Sequence, residues 1–241
     1  MRPTPNPAID MKLNHTHIAV ILDRSGSMES MARGAISGYN EFLAAQQATV
    51  DDRGQPIPAT FTLVLFDHEY LLVHHAEDIQ VARPLTLETF VPRGSTALLD
   101  AIGRTIDDIG AELAAMPEAA RPSKVIIAIL TDGEENASSR YSMVDIKQRI
   151  THQTAKYNWE FLFLGANQDA IATAAQMGIQ ASKAATFVAD AEDLQSGNDA
   201  FAKKVSASRR STFKCALNPS ETETLHETMT ESLDKSRRER K

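Results

Sequence analysis

The chain has 241 residues, 42% of them hydrophobic, enough for one large α/β domain, alone or with a tail. Its formal net charge of −7 argues against general nucleic-acid binding, which leaves a basic footprint. The single cysteine, Cys215, excludes an internal disulfide. No early apolar region resembles a signal peptide, and no apolar run approaches the ~18 residues of a membrane span, so the expectation is a protein of the reducing cytoplasm.

Residues 1–14 are Pro-rich at their start and read as an irregular segment. Ile18, Ala19, Val20, Ile21 and Leu22 then form a continuous apolar run, the signature of a parallel strand buried on both faces. The run breaks into Asp23, Ser25 and Ser27 at alternate positions. Met31 to Gln47 has helical spacing, with Ile36, Tyr39, Phe42 and Leu43 on one face. Asp51 to Pro58 is a loop on its turn residues. Thr60 to Phe66 and Glu69 to His75 are strand-like, with only Asp67 and His68 between them. So short a connection allows a hairpin but not a parallel crossover, which predicts one antiparallel edge strand.

A polar passage ends in RGSTALLDAIG, where Gly94 and Ser95 turn the chain and Thr96 precedes a helix marked by Leu98, Leu99, Ile102, Ile106 and Ile109. Lys124 to Leu130 is the second strong central strand and runs out into TDGEEN, so Asp132 emerges where Asp23 did. Helix from Ser142 to Tyr157, strand from Trp159 to Leu164, helix from Asn167 to Met177, a short strand from Ala185 to Val188 and a helix from Ala191 to Ser208 complete the pattern. The alternation predicts a doubly wound α/β fold, with a mainly parallel sheet of about six strands and helices on both faces. Its domain is expected to span residues 15–208. In residues 209–241 the apolar periodicity fades, and the expectation is a charged, flexible tail.

An edge of an open α/β sheet at the carboxyl ends of its strands is where sites are built. Here that edge carries carboxylates and hydroxyls, with no sulfur or imidazole, an inventory suited to a hard cation such as Mg2+. Asp and Ser after a strand can also be mere turn and cap residues. RSGSM is not the GxSxG nucleophile elbow, GANQDA (Gly165 to Ala170) lacks a dinucleotide GxGxxG, and His68, His74 and His75 lack metal-ligand spacing.

Together, DRSGSM, RGSTALLD and LTDGEEN resemble the von Willebrand factor A family, the integrin I-like fold, in its intracellular bacterial or phage form. The family's metal-ion-dependent adhesion site is DxSxS on one loop, Thr on a second and Asp on a third, and all five positions are matched in order. The resemblance implies that Asp23, Ser25, Ser27, Thr96 and Asp132 hold Mg2+, with Mn2+ or Ca2+ as alternatives. Ser25 and Ser27 would ligate directly, Thr96 directly or through water, and the two aspartates largely through water. A helix after Ser27 would add its positive end. Arg24, Met28, Arg93, Ser95 and Glu134 would form the rim that meets a partner.

The resemblance implies a non-enzymatic adaptor or assembly factor that binds an acidic side chain of another protein, with an AAA+ ATPase system among the candidate partners. A Mg2+-dependent hydrolase of phosphate esters is the alternative, since the same ion could bind phosphate and activate water. Against it, the sequence has no phosphate-cradling Gly/Lys loop and no paired acid and base. Neither a membrane nor nucleic acid is expected as a partner.

Overall fold

The computed structural model describes residues 15–166 and 169–240. The irregular start expected at residues 1–14, and Asn167 and Gln168 at the head of one expected helix, lie outside the described residues. The chain runs β1 (Thr16–Asp23), a 3-10 segment (Gly26–Met31), α1 (Ala32–Gln47), β2 (Ala59–Phe66), β3 (Tyr70–Asp78), α2 (Leu98–Ala115), β4 (Lys124–Thr131) and α3 (Met143–Tyr157). It continues through β5 (Glu160–Ala166), α4 (Ala170–Gln176), β6 (Ala184–Phe187), α5 (Ala191–Thr212), α6 (Pro219–His226) and α7 (Met229–Glu239).

The six strands form one sheet in the order β3-β2-β1-β4-β5-β6. Every pairing is parallel except β2–β3, which is antiparallel as the short connection through residues 67–69 requires. β1 is central and wholly buried, because both faces are covered. Its side chains alternate: Ile18, Val20 and Leu22 face one layer, Ala19 and Ile21 the other. The first layer holds α1, α5 and α7, the second α2, α3 and α4. Close contact between α1 and α5 depends on two glycines of α1. A Cβ on Gly34 would lie 2.9 Å from the Ala191 Cα, and one on Gly38 would lie 2.5 Å from Asn198 Nδ2.

The flexible tail expected from residue 209 is not what the structure holds. α5 continues to Thr212, α6 packs on α5, and α7 packs on α5 and β6. Met229 and Leu233 are fully buried in the first core layer. Arg237 grips Asp193 with two hydrogen bonds of 2.6 Å and reaches the Thr186 carbonyl at 3.4 Å. α7 thereby packs beside the short edge strand β6, one way of shielding an exposed sheet edge. Lys204 donates to the carbonyls of Thr224 and Glu227 at 2.7 and 2.6 Å, satisfying the end of α6. One or two large apolar residues per helix and long-range ion pairs are too sparse to register as periodicity. No helix among the described residues is long and apolar enough to cross a membrane.

Candidate metal centre

Parallel register delivers three chain segments to one sheet edge. Leu22 pairs with both Leu65 and Leu130, so β1, β2 and β4 end level with one another. Asp23 closes β1 and Asp132 follows β4. The loop that carries Thr96 lies across them: the Gly26 N–H donates to Gly94 O at 3.1 Å, and the Arg93 N–H to Arg24 O at 2.9 Å.

Asp23 is completely buried. One carboxylate oxygen accepts from the Ser25 N–H at 2.6 Å, the other from the Thr131 hydroxyl at 2.6 Å. The Ser25 and Ser27 hydroxyls are 3.1 Å apart, and Ser27 Oγ donates to Asp132 Oδ1 at 2.7 Å. Thr96 is buried, and its backbone is held by loop three: its N–H donates to Asn136 Oδ1 at 2.9 Å, and its carbonyl accepts from the N–H groups of Asn136 and Ala137. A Cβ placed on Gly133 would lie 3.0 Å from Thr96 Oγ1 and 3.5 Å from Ser27 Oγ, so a side chain there would press on both hydroxyls. The five expected residues therefore converge from three loops.

Burial pushes the Asp23 carboxyl up from 3.8 to about 6, against the pull of its hydrogen bonds from Thr131 and Ser25, with the nearby Asp132 adding to the rise. Asp132 is raised too, again chiefly by burial. Neither carboxylate has an ion-pair partner among the described residues. Two buried or half-buried acids, three hydroxyls and no neutralising cation form a donor set that fits a hard divalent ion. No cluster of three or more His, Cys, Asp or Glu that could hold a metal occurs among the described residues, so any ion here rests on hydroxyls as well as carboxylates.

Several rim expectations change. Met28 is fully buried in the core and offers no surface. Arg24 is buried and ion-paired with Asp67 at 3.1 Å. Arg93 is exposed, but its guanidinium is engaged by Asp67 and Glu69. Ser95 and Glu134 are exposed. Ser27 itself lies in the 3-10 segment and the α-helix begins only at Ala32, so the site has less helix-dipole support than expected.

The sequence reading missed four supports. Thr131 holds Asp23. Asn136 holds Thr96. Glu135 accepts from the N–H groups of Leu99, Ala137 and Ser138, tying loop three to the start of α2. Asp67 joins Arg24 and Arg93. Asp67 had a legible signal, since it ends an apolar strand just as Asp23 does. Asn136 and Glu135 had none, because their roles are contacts across some 40 residues of chain.

Comparison of the sequence with protein-family models and with curated proteins finds no match. Solved structures match in fold. Proximal thread matrix protein 1 from the mussel byssus is 16% identical, with a TM-score of 0.54 over 81% of this chain and 46% of that one. A further structure of that protein, with a TM-score of 0.52, has a zinc-occupied metal-ion-dependent adhesion site. The ArnB paralog VWA2 from Sulfolobus acidocaldarius is 16% identical, with a TM-score of 0.50 over 80% of this chain and 45% of that one. The pilus adhesin SpaC from Lactobacillus rhamnosus GG is 14% identical, with a TM-score of 0.57 over 81% of this chain and 30% of that one. The chain thus spans less than half the length of each of these proteins. With its single mixed sheet, its two helical layers and these neighbours, the chain has the von Willebrand factor A fold.

Proposed function

We propose that the chain is a metal-dependent protein-binding module of the intracellular type, an adaptor or assembly factor and not an enzyme. The observation that carries this reading is the convergence of Asp23, Ser25, Ser27, Thr96 and Asp132, with two carboxylates that lack a counter-cation. Ser25, Ser27 and Thr96 would hold Mg2+, with Asp23 and Asp132 supplying its negative charge. Mostly neutral direct ligands leave a bound divalent ion able to accept one more anionic oxygen. That oxygen would come from a Glu or Asp of the partner. Ser95 and Glu134 would line its approach, and an AAA+ ATPase system in the cytoplasm is the partner class to examine first.

The test is capture from native lysate in Mg2+, followed by excess chelator. The expected outcome is a protein released by chelation and captured less well by Thr96→Ala, which should stay folded by circular dichroism. A partner that stays bound in chelator with unchanged affinity would place the binding face elsewhere.

A further inference from the structure

Asp67 is a heavily engaged acid near the site. Its side chain is wholly buried. A single oxygen, Oδ2, meets Arg24 Nε at 3.1 Å and Arg93 Nε at 3.0 Å. The other oxygen accepts from the Glu69 N–H at 2.6 Å and lies 3.3 Å from His68 Nδ1. Its carbonyl accepts from the Ala97 N–H at 2.9 Å.

Three of these contacts, those to Arg24, Arg93 and Ala97, land on residues next to, or close to, a candidate metal ligand. Arg24 stands between Asp23 and Ser25. Arg93 opens the turn that leads to Thr96, and Ala97 follows it. We propose that Asp67 is a positioning residue for the metal centre, holding the Thr96 loop at a set separation from the Ser25–Ser27 loop. This rests on the metal-binding reading above.

The physical argument is that both guanidinium groups converge on the same carboxylate atom. The spacing of the two loops is then set at one oxygen, to which Arg93 Nε donates a hydrogen bond and beside which the Arg24 guanidinium forms an ion pair, reinforced by the Arg93 N–H donating to Arg24 O. On its far side Thr96 is held by Asn136, so the clamp completes its restraint from two directions. Mutating residues that orient metal ligands without touching the ion typically costs about 10–100-fold in affinity. The competing account is that Asp67 merely neutralises the buried Arg24 charge.

A double-mutant cycle on the full chain separates the two, with free Mn2+ read by electron paramagnetic resonance. Asp67→Asn leaves Arg24 buried beside a neutral amide and can weaken the fold. Arg93→Gln is therefore the second variant, because Arg93 is half exposed and Arg24 keeps its counter-ion. Asp67→Asn should weaken Mn2+ binding by about tenfold or more, and Arg93→Gln by a smaller factor in the same direction. If both act by placing Thr96, neither should add a further loss in a Thr96→Ala background.

Wild-type affinity in both single variants, or losses that multiply with Thr96→Ala, would overturn the clamp while leaving the metal site standing. A wild-type chain that binds no Mn2+ would overturn the metal reading and the clamp with it.

Discussion

Asp23 stands buried beside a second acid, with its pKa raised from an ordinary 3.8 to about 6. Between those values the metal-free native state holds a proton that the unfolded chain has already released. The stability this contributes is fully present below about pH 4 and is lost as pH rises through about 6. Metal binding has the opposite sign, because a ligating or water-ordering carboxylate must be ionised. Affinity for Mg2+ should therefore hold above pH 6 and fall below it, approaching about tenfold per pH unit for one displaced proton. Calorimetric titrations across that range, in buffers of differing ionisation heat, would read both the affinity and the proton released. An affinity flat from pH 5 to 7 would remove Asp23 from the site.

Among the elements, α7 departs furthest from what its sequence shows. Its residues are mostly charged, yet Leu233 is fully buried between α7 and the sheet. Leu233→Ala should lower unfolding stability by about 2–5 kcal/mol, the range for truncating a buried Leu. Urea unfolding checks this, and a midpoint unchanged from wild type would mean that α7 is not docked in solution. The ion pairs flanking it are partly exposed and weigh less in this balance: the Arg237 and Asp193 side chains are 30% and 11% accessible. Apolar burial, and not the conspicuous charge of KSRRERK, holds the element down.

At the scale of the whole molecule, the site joins β1, β4 and the loop after β3, so an ion bound there bridges segments far apart in sequence. Binding to the native state alone raises stability by mass action, about 2.7 kcal/mol at one hundred times the dissociation constant. Mg2+ at that level should shift the thermal midpoint of the wild-type chain upward. Asp23→Ala should keep the fold, since the residue lies at the rim of the sheet, and should lose the shift. Differential scanning calorimetry with and without chelator measures it, and an equal shift in both proteins would assign the effect to some other site.

The sequence by itself determined the sheet and the five ligand candidates. Continuous apolar runs mark strands covered on both faces, helical periods separate them, and the short link between β2 and β3 permits only a hairpin. Asp23, Ser25, Ser27, Thr96 and Asp132 were legible as candidates through their resemblance to the family's DxSxS, Thr and Asp motif, whose parts stand after apolar runs or at the head of a helical one. Tertiary structure alone decided what surrounds them. It buried Met28, spent Arg24 and Arg93 on Asp67, put Thr131 against Asp23 and folded residues 219–239 onto the core. The physical reason is range. Strand and helix signals repeat every two or 3.6 residues within one segment. A buried ion pair or a docked helix depends on partners tens of residues away, and no local pattern records them.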